Sequence, residues 1–79
     1  MATQFSRFLK GVRINVRLTQ IEFAKKLDVK LSTYKAWETG RSLPKLCYID
    51  NLKEKFKELN IPNATICELI EFYTLTKNK

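Results

Sequence analysis

Residues 18–40 constrain this chain more than any other segment. Thr19-Gln20-Ile21-Glu22 has the form of a capping box. The Thr19 hydroxyl can accept from the Glu22 amide while the Glu22 carboxylate reaches back to the Thr19 amide. A helix is therefore predicted from Thr19 to about Leu27, burying Phe23, Ala24 and Leu27. Asp28 closes it, because aspartate tolerates a left-handed conformation better than most residues. A second helix is predicted over Leu31 to Thr39, with Tyr34 and Trp37 facing inward at i and i+3 and Gly40 as its stop. The segment reads as two short helices joined by a tight turn.

The flanking sequence is helical too. Phe5, Phe8, Leu9, Val12 and Val16 fall on one helical face, which predicts a helix over 4–15. Another is predicted from Leu46 to Leu59 with Ile49, Leu52, Phe56 and Leu59 inward and Lys53, Lys55 and Lys57 outside. Pro62 is expected to end it. A last helix covers Ala64 to Leu75, capped by Asn63 or by Thr65 with Glu68, with fraying expected from Thr74 to Lys79. No strand-period segment, internal repeat or low-complexity run is visible. Seventy-nine residues, 44% hydrophobic and 29% charged, make one all-α domain of five short helices over residues 1–79.

The charge is unevenly placed. The net charge is +7, and residues 1–45 carry ten basic residues against three acidic ones, whereas residues 46–79 carry five of each. The whole excess lies in the half that holds the helix pair. A polyanion, chiefly nucleic acid, is the natural partner. A helix pair of this spacing on a basic surface suggests a helix-turn-helix that lays its second helix in the major groove of double-stranded DNA.

Other classes find little support. No run approaches ~18 consecutive apolar residues, so no membrane partner is expected. The segment Met-Ala-Thr-Gln-Phe-Ser-Arg lacks the apolar region of a signal peptide, and a cytoplasmic location is expected. Cys47 and Cys67 stand twenty residues apart with no histidine in the chain. They are expected to be reduced core residues, with no metal and no cofactor. Without histidine, a phosphate-binding glycine loop or a nucleophile–base pair, an enzyme is not expected.

Residues 18–44 resemble the phage-repressor and Cro helix-turn-helix family, also called XRE-type. Its pattern is matched by Leu18, Thr19, Gln20, Glu22, Phe23, Ala24, Leu27, Val29, Thr33, Tyr34, Trp37, Glu38, Gly40 and Pro44. The likeness extends more weakly over residues 5–73. It implies a compact lambda-repressor-like, five-helix DNA-binding domain, with helices 2 and 3 as the helix-turn-helix. Three positions depart from the pattern. Asp28 stands at the usual turn glycine, Lys30 at the usual serine cap of helix 3, and Arg17 at another frequent glycine.

The resemblance also implies roles. Arg13 and Glu38 would form an ion pair joining helix 1 to the end of helix 3. Gln20 would bond a DNA phosphate and brace the recognition helix. Base contacts would fall on Lys30, Leu31, Ser32, Lys35 and Ala36. Lys35 could donate to guanine, and Leu31, read as exposed, could pack with Ala36 on thymine methyls. Phosphate contacts would fall on Thr39, Arg41, Ser42 and Lys45. A repressor from a phage, plasmid or mobile element is expected. The alternatives are an antitoxin-type autoregulator and a protein-interaction module that keeps the fold.

The last helix adds an expectation about assembly. Ile66, Ile70, Phe72 and Tyr73 lie in a strongly apolar stretch that a small domain seldom leaves uncovered. A homodimer through this helix would read half-sites about 34 Å apart, one turn of DNA.

Overall fold

The computed structural model describes residues 3–77 and contains five helices. They are α1 (Gln4–Asn15), α2 (Gln20–Lys26), α3 (Leu31–Thr39), α4 (Leu46–Glu58) and α5 (Asn63–Lys77). Among the described residues there is no strand. The architecture is all-α, with α2 and α3 forming the helix-turn-helix.

Local signals start the first two helices. Thr19 caps α2: its hydroxyl accepts from the Glu22 amide at 3.1 Å, and Glu22 Oε1 accepts from the Thr19 amide at 2.9 Å. A second reciprocal box starts α1. Thr3 Oγ1 accepts the Ser6 amide at 3.1 Å, and Ser6 Oγ accepts the Thr3 amide at 2.7 Å. Ser6 is fully buried, and its hydroxyl also donates to the Thr3 carbonyl. By contrast α3 and α4 begin on Lys30 and Lys45, which make no side-chain cap.

The first four helices end alike. Arg17, Asp28, Gly40 and Asn60 all have φ between 59° and 81°. The next residue in each case donates its amide to a carbonyl five positions back. The pairs are Leu18 to Arg13, Val29 to Ala24, Arg41 to Ala36 and Ile61 to Phe56. This is the Schellman arrangement, which satisfies carbonyls left free at a helix end. Its usual hydrophobic partner is present three times, because Leu18, Val29 and Ile61 all turn onto the core. Arg41 takes that place after α3 and is exposed.

The stop of α4 is therefore Asn60, not Pro62. Pro62 instead opens α5, its carbonyl accepting the Thr65 and Ile66 amides at 3.0 and 3.1 Å. Asn63 lies inside the first turn of α5 and does not precede it as a cap. The expected fraying from Thr74 is not seen up to Lys77. There α5 remains helical, and Thr76 Oγ1 accepts the Phe5 amide at 3.1 Å. Residues 78 and 79 lie outside the described part.

One contiguous core joins all five helices. It includes Phe5, Leu9 and Val12 of α1, Phe23, Ala24 and Leu27 of α2, and Tyr34 and Trp37 of α3. Ile49, Leu52 and Phe56 of α4 and Ile66, Leu69 and Tyr73 of α5 complete it with Ile61. Phe23 meets Tyr34 edge-on at 5.5 Å, and Trp37 meets Tyr48 of α4 at 5.5 Å. α1 packs on α3 and α5, α2 packs on α3, and α4 packs on α5.

Two expectations about buried and exposed groups are corrected here. Ile66 and Tyr73 are only 5% exposed, so they support the core and offer no surface to a second molecule. Cys47 and Cys67 are both exposed free thiols. In each helix the cysteine falls off the stripe set by 49-52-56 or 66-69-73, and proximity in sequence to apolar residues misplaced it.

Candidate nucleic-acid interface

The start of α2 and the end of α3 are tied together, and to α1, by one carboxylate. Glu38, near the end of α3, is only 8% exposed. Arg13 of α1 donates to it twice, from Nε at 2.9 Å to Oε2 and from Nη2 at 3.1 Å to Oε1. The Tyr34 hydroxyl donates to Oε2 in a short bond, and Gln20 Nε2 of α2 donates to Oε1 at 3.1 Å. Arg13 Nη1 also donates to the Leu18 carbonyl at 3.0 Å. One anion thus collects donors from α1, α2 and α3, and the guanidinium supplies a two-pronged, charge-assisted contact.

The electrostatics follow from this arrangement. Burial alone would push the Glu38 carboxyl up, but the hydrogen bonds from Arg13, Tyr34 and Gln20 outweigh it and leave the group below its ordinary value. The Arg13 guanidinium is pushed up, mainly by its hydrogen bond to Glu38. Burial and then the bond to Glu38 push the Tyr34 phenol up, so it stays a neutral donor.

The residues expected at DNA fall into three groups. Lys30, Ser32 and Lys35 are exposed on α3, and Arg41, Ser42 and Lys45 are exposed in and around the loop that follows it. Leu31 and Ala36 are half-buried. Leu31 packs against the core and is not the free apolar side chain its surroundings suggested. Two expected phosphate contacts already have partners. Gln20 spends one N–H on Glu38. Thr39 Oγ1 donates to the Lys35 carbonyl at 2.8 Å, with a longer approach of 3.3 Å to that of Ala36, so as placed it offers no donor to a phosphate.

Sequence reasoning missed some surface features. Ile21 and Leu46, beside Gln20 and Lys45, are 54% and 64% exposed. Both lie off the inner stripes of their helices, which is the signal that could have flagged them. Tyr48 reaches across from α4 to the start of α3. A shallow cleft there is lined by Asp28, Val29, Lys30, Thr33 and Tyr48.

Residues 9–46 match the family model described as helix-turn-helix. This segment is a helix-turn-helix of the repressor and Cro type. No curated protein and no solved structure matches the chain. The match runs from the middle of α1 to the first residue of α4 and contains the whole Glu38 network. Such a helix-turn-helix is a DNA-binding regulatory domain, not an enzyme family.

Within the helix-turn-helix, α2 and Arg13 hold α3 from behind, while the exposed side of α3 carries Lys30, Ser32 and Lys35. Among the described residues no group of three His, Cys, Asp or Glu is placed to hold a metal ion. No helix among them is long and apolar enough to cross a membrane.

Proposed function

We propose that this protein is a sequence-specific transcriptional regulator that occupies a double-stranded operator and represses the adjoining promoter. The observation that carries this reading is the exposed, uniformly basic character of the α3 face. Lys30 and Lys35 flank Ser32 there with no acidic residue among the exposed positions of α3. Lys35 reads guanine edges, Ser32 a base edge or a phosphate, and the partly covered Leu31 and Ala36 set the closeness of approach. Arg41, Ser42 and Lys45 neutralise phosphates beside it, with Gln20 bridging a phosphate and Glu38. About six neutralised phosphates give a slope near −5 for log affinity against log salt. Repression rests on occupancy and on the concentration of the protein, in the cytoplasm of a cell carrying a phage, plasmid or other mobile element.

The regulator acts as a homodimer whose contact surface is the exposed side of α5. Ile70 and Leu75 are 40% and 47% exposed, and Phe72 is half-buried. A two-fold pair would read a palindromic operator.

Selection of bound sites from a random duplex pool tests this reading. Enrichment of a palindrome bound at least ~10³-fold above random DNA supports it. Weak binding with no enriched sequence overturns it and favours a charged protein-interaction module.

A further inference from the structure

A groove between α1 and α5 serves neither the core nor the α3 face. Its floor is Phe8 and Phe72, half-buried, with ring centroids 5.2 Å apart. Arg7 stands on the α1 wall and Glu68 on the α5 wall. Both are exposed, and among the described residues neither makes an ion pair within 4.0 Å. Gly11 also lines the α1 wall, and a Cβ added there would meet nothing within 4 Å. Glycine weakens a helix interior relative to alanine, so nothing within the chain accounts for it.

We propose that this groove seats a second copy of the same chain, related by a two-fold axis, with Arg7 of each copy facing Glu68 of the other. The proposal rests on the dimeric reading above and locates its contact surface. A two-fold axis lays a surface onto itself, so the surface must be self-complementary. A basic wall beside an acidic wall over an aromatic floor meets that condition. α1 carries Arg7, Lys10 and Arg13 with no acidic residue, and α5 carries Glu68 and Glu71 before Lys77. A partner of one charge sign would be attracted by one wall and repelled by the other, and DNA would be repelled by Glu68. Open space over Gly11 lets the copy's backbone come close. Phe72 and the exposed Leu75 one turn on belong to this side of α5; Ile70 lies on the opposite flank, so this placement narrows the contact surface to the Phe72 side and leaves Ile70 outside it.

Sedimentation equilibrium of the full chain tests the proposal, with R7E, E68R, the double exchange R7E/E68R, and G11W. The wild type is expected to dimerise. Each single charge reversal should weaken the dimer at least about tenfold by placing like charges in register. The double exchange, which keeps the net charge, should restore it to within about threefold. G11W should weaken the dimer while the helical content of the folded chain is kept, since a Cβ at Gly11 meets nothing within 4 Å in its own chain. A monomeric wild type, single variants that dimerise like wild type, or a double exchange that fails to restore association overturns the proposal. Binding of each protein to a duplex carrying one selected half-site separates the two failures. Loss of half-site binding by the wild type itself is a failure of the DNA reading, and a monomer that still binds is a failure of the groove.

Discussion

Gln20 at the start of α2 meets Glu38 near the end of α3, with Gln20 Nε2 donating to Glu38 Oε1 at 3.1 Å. The residue proposed to touch a phosphate is therefore fastened to the buried anion that also holds α1. On the proposed reading, docking on DNA and the integrity of the fold share one side chain. Glu38→Ala leaves the Arg13 charge and the buried Tyr34 hydroxyl without their partner. The expected loss is about 3 kcal/mol, the cost of breaking a buried ion pair. At 4–8 °C per kcal/mol for a domain of this size, the thermal midpoint falls by more than about 10 °C.

Acid should act through the same group. The Glu38 carboxyl lies below its ordinary value of 4.5 in the folded protein, so the fold binds fewer protons there than the unfolded chain does. Its contribution is fully present above that value and is lost as pH falls through the lower, folded one. Urea unfolding between pH 6 and pH 3 should show stability dropping below about pH 4.5. In Glu38→Gln that part of the drop should be missing.

Lys35→Ala should leave the unfolding free energy within about 0.5 kcal/mol of wild type, because Lys35 is an exposed surface position. Its effect should appear in DNA binding, as a loss of about 1–3 kcal/mol on the selected operator with relaxed preference at one base pair. Arg41→Ala should instead weaken binding to all duplexes alike and lower the salt slope by about 1. Fluorescence anisotropy across salt concentrations separates the two.

Arg17 has φ 59° and ends α1 with a side chain that disfavours the left-handed region. Arg17→Gly should raise stability by about 0.5–1 kcal/mol, the relief of left-handed strain less the added freedom of the unfolded chain. Asp28, at φ 60°, should gain less from the same change, since aspartate bears that conformation more easily. Chemical denaturation of the two variants measures the difference.

Both thiols should react with a disulfide reagent in the native protein, because Cys47 and Cys67 are exposed. Two thiols titrated without denaturant is the expected result. Thiols that react only after unfolding would place the cysteines in the core.

The helices were legible because their punctuation is local. Thr19 with Glu22, and Gly40 after Thr39, can be read from neighbours in sequence alone, and the apolar spacing of Phe5, Leu9 and Val12 orients α1. The Asn60 stop was harder to read, because Pro62 is the louder breaker and only the backbone shows which residue turns left-handed. The site was legible in residue type and less so in commitment. No pattern says that Gln20 donates to Glu38, that Thr39 turns back on its own helix, or that Leu31 leans on the core. Those depend on the crossing of α2 and α3. The cysteines were misread because short-range apolar context is a weaker guide than position on the helical stripe.

The lysine starts of α3 and α4 have a consequence for how recognition can fail. α3 is nine residues long with no side chain holding its first amides, and helices shorter than ~12–15 residues are marginal alone in water. Its shape is lent to it by the burial of Tyr34 and Trp37. Loosening anywhere beneath those two rings, by warming or by a substitution elsewhere, should blur the outline of the proposed reading face while most of the molecule remains folded. Discrimination between sequences should then decay ahead of global melting, which makes a regulator of this build a temperature-sensitive one.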